Sequence, residues 1–282
     1  MRVTTLIENS RLEGRDDLEP EFGLSVHVGC DETRILFDTG ASGAFLHNAK
    51  AMDIDISDVD VAVISHYHFD HGGGLEHFFE VNTRATVYLR QSPLVGRWFK
   101  ALAVIKRPIG IDLDRLDRFA DRIEIISEMR LVAPGVYLLT AIGSAHRRPR
   151  GNSRLFEESN GGLIPDDFDH ELMMVVHEND GMVVFSGCSH HGILNIIDAA
   201  AAQFPRVPIK AVFGGFHLIG LPFYNSMAAS RSEVREIGRQ VMEKVQGPVY
   251  SGHCTGAKAF GVLEGVMGER LHRFQTGSIV EV

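Results

Sequence analysis

The chain has 282 residues, 44% of them hydrophobic and 23% charged, ordinary values for a globular protein and far from those of a disordered or fibrous chain. Its 28 Lys and Arg against 37 Asp and Glu leave a net charge of −9, which argues against nucleic acid as a partner, because affinity for a phosphate backbone rests on basic residues. Three cysteines cannot all pair, no apolar run approaches the roughly 18 residues of a membrane span, and the N-terminus lacks a signal-peptide stretch, so a cytoplasmic protein without a disulfide scaffold is expected.

Val3 to Ile7 reads as a strand. In residues 23–37, Leu24, Val26 and Val28 alternate with polar residues, CDET turns, and RILF returns, so a hairpin is expected. It runs into Asp38-Thr39-Gly40. A helix is expected over Phe45 to Met52. The β-branched run Val59 to Ser65 predicts a strand buried on both faces, which opens onto His66 to Gly74. Ala85 to Leu89 predicts another strand. Residues 91–122 are mixed, with the single tryptophan at Trp98 and a helical stretch from Asp112 to Arg122. They are expected as a lid or cap on one domain spanning 1–282, although ordinary packing also accounts for Trp98 and Phe99.

Ile123 to Ile126 and Gly135 to Thr140 are strand-like, and the polar, Gly-rich His146 to Gly162 is expected as a loop. Leu172 to Val176 and Met182 to Phe185 flank Asn179-Asp180-Gly181, a strong hairpin signal. Ile193 to Gln203 predicts a helix and Ile209 to Phe213 a strand. Over 230–246, Ser230 and Glu233 form a capping box ahead of an apolar face, and Gly247-Pro248 ends the helix. Pro248 to Ser251 is a last strand. Strands and helices alternate without repeats, so α/β with two sheets is expected.

His- and Asp-rich loops follow strand after strand, at Asp38, 66–71, 188–191, His217 and His253. Polar residues at strand ends collect at one sheet edge, where α/β folds build sites. The densest loop is His66-Tyr67-His68-Phe69-Asp70-His71. In extended chain His66 and His68 point the same way and can share an ion, while the turn that follows lets Asp70 and His71 face a second one. Gly72-Gly73-Gly74 is expected to supply freedom for that turn. Imidazole with carboxylate suits zinc first, and also iron or manganese.

At these residues the chain resembles the metallo-β-lactamase superfamily, over essentially its whole length. LFDTG at 36–40, SHYHFDHGGG at 65–74 and GHCTG at 252–256 carry the resemblance. It implies a four-layer αββα sandwich of two mixed sheets flanked by helices, and two divalent ions. His66 and His68 would hold one ion and Asp70, His71 and His253 the other, with Asp38 steadying the ligand histidines. One departure stands out. Much of the family has a further histidine and then a bridging aspartate at a strand end, whereas here the equivalent strand ends in Gly187-Cys188. Cys188 can take the bridging place as a thiolate or be a small buried thiol, and His190 can supply the imidazole, ahead of His170 and His146. His191 points elsewhere. GCSHHG, GGFHL and HCTG together are similar to a branch of dihydropterin/ribofuranosylaminobenzene-phosphate synthase-like proteins.

The expected function is a metal-dependent hydrolase acting on an ester, thioester, lactone or phosphoester-type small molecule, with Asp70 holding metal and orienting the nucleophile, and His217 either contacting substrate, supporting the ligands from behind or serving as a core or surface histidine. The alternatives are a metal-dependent, pterin-handling synthase and a non-catalytic sensor or binding protein. Arg147, Arg148, Arg150 and Arg154 either clamp an anionic substrate or form a solvated loop. The expected partner is a small molecule, in one reading anionic, with neither nucleic acid nor membrane, and a homo-oligomer is left open.

Overall fold

Strands form where β-branched and aromatic residues concentrate, and helices where apolar residues recur at helical spacing. The computed structural model describes all residues except 93–95, 103, 160 and 222–225. Arg2–Ile7 is β1, and the expected hairpin follows as Ser25–Cys30 (β2) and Thr33–Phe37 (β3), in register from Val26 opposite Phe37 to Cys30 opposite Thr33. Next come Ala44–Ala51 (α1), Val61–Val63 (β4), the single turn Phe69–Gly72 (α2), Leu75–Val81 (α3) and Thr86–Arg90 (β5). Arg97–Ala101 (β6), Ile105–Pro108 (β7), Ile123–Ile126 (β8), Arg130–Ala133 (β9) and Val136–Leu139 (β10) precede Leu155–Ser159 (β11), Gly162–Pro165 (β12), Met173–Glu178 (β13) and Gly181–Phe185 (β14). The chain continues through Ile193–Gln203 (α4), Ile209–Phe213 (β15), Arg231–Lys244 (α5), Val249–Ser251 (β16), Ala257–Met267 (α6), Leu271–Arg273 (β17) and Ile279–Glu281 (β18). No helix among the described residues is long and apolar enough to cross a membrane.

The chain divides into two compact units. The first comprises Met1–Ser127, Leu155–His170 and Phe274–Val282. It holds a seven-stranded mixed sheet in the order β18-β1-β2-β3-β4-β5-β8, parallel from β3 to β8. Its core joins Leu36, Ala62, Ile64, Val87 and Leu89 of or beside the strands to Phe45 of α1 and Phe78 and Phe79 of α3. Burial of such side chains contributes about 1.5–3 kcal/mol each. The second unit, Glu128–Arg154 with Glu171–Arg273, holds the order β17-β16-β15-β14-β13-β10-β9, parallel from β14 to β17. α4, α5 and α6 pack on it through Ile196, Ile197, Val234, Val241, Phe260 and Leu263. At the head of α5, Ser230 and Glu233 make both arms of the predicted capping box. The fold class is therefore as expected, mixed α/β sheets with helices against them.

Two local expectations are corrected. A third, four-stranded sheet, β12-β11-β6-β7, occupies the first unit, and β11 lies where a loop is predicted. Leu155 pairs with Phe99 and Phe156 with Trp98, and Lys106 covers the Trp98 ring at 4.1 Å, so pairing across more than fifty residues outweighs the polar local composition. The helical stretch expected near 112–122 is present, as 3₁₀ turns over Asp114–Arg122. The second correction concerns the glycines after the histidine motif. Gly73 and Gly74 have φ of −66° and −82°, ordinary helical values, so no special freedom is used there. A Cβ on Gly73 would lie 2.4 Å from the Ala41 carbonyl oxygen, and one on Gly74 2.4 Å from that of Thr39. Those glycines serve close backbone approach.

Candidate functional site

In the first unit, the parallel strands β3 and β4 run into Asp38 and into Ser65-His66, which places these residues at one sheet edge. Asp38 holds a left-handed backbone, φ 59°, a conformation that costs a non-glycine residue on the order of 1–3 kcal/mol. Its carboxylate is fully buried and accepts three hydrogen bonds. Ser65 N–H donates to Oδ1 at 2.7 Å, and the Ser65 hydroxyl and His71 Nδ1 donate to Oδ2 at 2.8 and 2.6 Å. These bonds determine the imidazole tautomers. Ser65 gives its one proton to Asp38, so the 2.9 Å contact between its oxygen and His66 Nδ1 requires the proton on the ring. His66 and His71 both carry the proton on Nδ1, which puts the lone pair that a metal needs on Nε2.

His66 Nε2 lies 3.0 Å from His68 Nδ1, and His71 Nε2 lies 3.9 Å from Asp70 Oδ2. All four side chains are buried. Burial, with His170 acting in the same direction, pushes His68 down to about 3, so its ring is neutral at pH 7, the form that binds metal. Imidazoles and a carboxylate paired at these distances fit divalent ions.

Behind this loop stands His170, also fully buried. Tyr67 N–H donates to its Nδ1 at 3.0 Å, so the proton sits on Nε2 and faces Asp166 at 3.2 Å. Both ring nitrogens are engaged, and His170 clamps the backbone of the loop instead of joining the donors. Burial works to raise Asp166, but the His170 hydrogen bond and charge, His68 and Arg97 together hold it at about 2. Arg97, 1% exposed, reaches Asp166 at 3.4 Å and Glu157 at 3.3 Å.

In the second unit, parallel pairing of β14, β15 and β16 delivers Cys188 and His190, His217, and His253 to one sheet edge. Ser189, His217 and His253 all have positive φ, at 57°, 47° and 48°, so each of these strands leaves its end through a strained turn. The ligand atoms of Cys188, His190 and His217 lie within 4.8 Å of one another, and so do those of Cys188, His253 and Cys254. Asn152 Oδ1 accepts from His190 Nδ1 at 3.1 Å, which turns the lone pair to Nε2. Glu171 is fully buried and accepts from His190 N–H at 2.6 Å, His191 N–H at 2.8 Å and His191 Nδ1 at 2.7 Å. Burial alone would raise its pKa, and these donors outweigh that and hold it below the usual range. The His191 ring is thus engaged by Glu171 through Nδ1. Burial also works to raise the Cys254 thiol, but hydrogen bonds from Cys188 and His217 and the His253 charge draw it well down.

Sequence reasoning missed four participants. Cys254 stands beside His253 in a quoted motif and was readable as a second soft donor. Glu171, Asp166 and Arg97 carry no local pattern, because the groups they hold are distant in the chain. His146 bonds Asp198 at 2.8 Å and is not gathered with the donors.

A family model, the metallo-beta-lactamase superfamily, matches residues 18–217. Among curated proteins, a 7,8-dihydropterin-6-methyl-4-(beta-D-ribofuranosyl)-aminobenzene-5'-phosphate synthase of Methanocaldococcus jannaschii is 25% identical over 270 residues, 92% of this chain and 88% of that one. Among solved structures, Tm1679, titled a metal-dependent hydrolase of the beta-lactamase superfamily, matches with a TM-score of 0.82 at 30% identity, over 100% of this chain and 99% of that one. Zn(2+)-bound PqqB from Methylobacterium extorquens shares the fold, with a TM-score of 0.56 at 11% identity and both chains covered fully.

Proposed function

The chain belongs to the metallo-beta-lactamase superfamily, and on that premise we propose that it is a metal-dependent hydrolase of a small anionic molecule. One observation carries this reading: the buried Asp38 carboxylate orients His66 and His71, through Ser65 and directly, so that both present Nε2 lone pairs. That is the arrangement in which a carboxylate behind an imidazole raises its basicity and fixes its direction toward metal. Divalent ions, one at His66 and His68 and one at Asp70 and His71, would supply Lewis acidity and lower the pKa of water they bind to about 7. The residues themselves bind, orient and exclude water. His68 stays neutral through burial, Asp70 contributes the negative charge, and His170 holds the Tyr67 backbone between the two ligand histidines. Cys188, His190 and His253 offer a second donor set with one thiolate, where much of the family uses an aspartate.

The synthase of Methanocaldococcus jannaschii, aligned over 92% of this chain, supports a second reading. In it the same donors serve a pterin-handling reaction that joins two molecules without net hydrolysis.

Elemental mass spectrometry of protein purified without chelator tests the metal assignment. We expect close to two equivalents of zinc, iron or manganese per chain, with a loss of at least one in both His66→Ala and His68→Ala. Metal-free protein that takes up none of these ions would overturn it. Turnover in ¹⁸O water then separates the two readings, since hydrolysis places solvent oxygen in the product and condensation need not.

A further inference from the structure

Three loops of the second unit, 187–190, 214–219 and 252–255, are stitched together by main-chain donors. Gly215 N–H donates to the Gly187 carbonyl at 2.8 Å, Ile219 N–H to the Cys254 carbonyl at 3.0 Å, and Phe216 N–H to the Thr255 hydroxyl at 2.9 Å. Two cysteines that stand 66 residues apart in the chain meet there. We propose that Cys254 ligates metal together with Cys188 and His253, so that the ion of the second unit is held by two thiolates and is zinc in preference to manganese. The inference rests on the proposed function for the presence of an ion, and goes beyond it in the donor set and in the metal that this set selects.

The distances carry this. The two sulfurs and a His253 ring nitrogen lie within 4.8 Å of one another, and all three residues are at most 3% exposed. With zinc–sulfur bonds of about 2.3 Å, two sulfurs on one ion can stand up to about 4.6 Å apart, so these atoms need move little to share it. Packing does not account for the cysteines. Both lie outside the apolar cluster that joins α4, α5 and α6 to their sheet. The Cys254 sulfur rests against main chain instead. It donates to the Cys188 carbonyl at 3.5 Å, and a Cβ on Gly215 would stand 2.3 Å from it and 3.3 Å from the Gly187 carbonyl oxygen. The sulfur occupies the place where a side chain at 215 would begin.

Charge and softness then choose the metal. Two thiolates and a neutral imidazole carry two negative charges, which a divalent ion cancels, and a buried site is costly unless its charges are matched. Soft sulfur suits zinc, whereas manganese prefers carboxylate and water oxygen. Three protein ligands leave zinc one position open, as catalytic sites do. Because the hydrogen bonds between the three loops involve neither sulfur nor imidazole, the loops hold the donors together before any ion arrives.

Cobalt(II) reports thiolate ligation directly, through a near-ultraviolet charge-transfer band whose intensity follows the number of sulfurs on the ion. Full-length protein stripped with chelator and reloaded with cobalt is expected to show a band about twice that of a one-thiolate site. Cys254→Ser is expected to lose about half of the band and to bind zinc about tenfold more weakly or worse, by competition against a chromophoric chelator, with manganese affinity changed by less than about twofold. Cys254→Asp keeps the charge, and is expected to lose the same half of the band while shifting selectivity toward manganese. A one-thiolate band in the parent, which needs no variant to fold, would overturn the proposal and leave the metal-dependent hydrolase reading standing. So would a parent-like band and zinc affinity in Cys254→Ser. A two-thiolate band in a protein whose products carry no solvent oxygen would uphold the donor set and sink the hydrolase.

Discussion

Asp38→Asn isolates what the buried carboxylate does. Asparagine is nearly isosteric and, like aspartate, tolerates the left-handed backbone at φ 59°, so the exchange removes charge and acceptor capacity without straining the chain. Asp38 accepts three bonds, one on Oδ1 and two on Oδ2. If the amide nitrogen takes the Oδ1 place, it faces Ser65 N–H, donor against donor. If it takes the Oδ2 place, it faces both the Ser65 hydroxyl and His71 Nδ1. The first arrangement loses fewer bonds, so at least one buried donor is orphaned and the other two bonds become neutral. With charged hydrogen bonds worth about 1.5–3 kcal/mol, the expected destabilisation is about 2–4 kcal/mol. For a chain of this size that lowers Tm by about 5–10 °C. Loosening His66 and His71 should also weaken metal binding about 10–100-fold. Thermal unfolding in excess chelator reads the first effect, and competition against a chromophoric chelator reads the second. Asp38→Ala should cost about 1 kcal/mol more, because alanine lacks the side chain that eases the left-handed backbone. A Tm within about 1 °C of the parent and metal affinity within about twofold in Asp38→Asn would refute the reasoning.

Gly73→Ala should destabilise the chain by about 1–3 kcal/mol or more, through overlap with two backbone carbonyls that cannot turn aside, and should reduce metal content with it. Chemical denaturation checks this, and a neutral result would show that the close approach relaxes freely. His27 on β2 is pushed down to about 4, first by burial and then by the charges of Arg34 and Arg2. Its unfolded value is 6.5, so the stability it contributes is complete above pH 6.5 and is lost as pH falls from 6.5 to 4, on the order of 3 kcal/mol in all. His27→Gln should flatten that part of the Tm-against-pH curve, and identical curves for the two proteins would exclude the assignment.

The local chemistry of this chain is legible from its residues. The strand alternations, the Ser230–Glu233 capping box, the hairpin at Asn179-Asp180 and the H-x-H-x-D-H segment are all short-range patterns, and their physical causes lie within a few residues. The same holds for the strand ends that carry Asp38, Cys188, His217 and His253, because a strand's direction and its terminating loop are adjacent in sequence. Longer-range partnerships are another matter. Nothing near Trp98 announces β11, nothing near Tyr67 announces His170, and Glu171 gives no hint that it holds two backbone amides nineteen and twenty residues on. The three glycines after the histidine motif show the same division. Their presence is visible in the sequence, but the reason for it, the Ile111 side chain at Gly72 and carbonyl oxygens of Ala41 and Phe69 at Gly73 and of Thr39 and Ser42 at Gly74, where side chains would begin, exists only once the chain has folded. Hydrogen-bond partners for a buried charge are selected by position in space, and tertiary structure alone supplies that position.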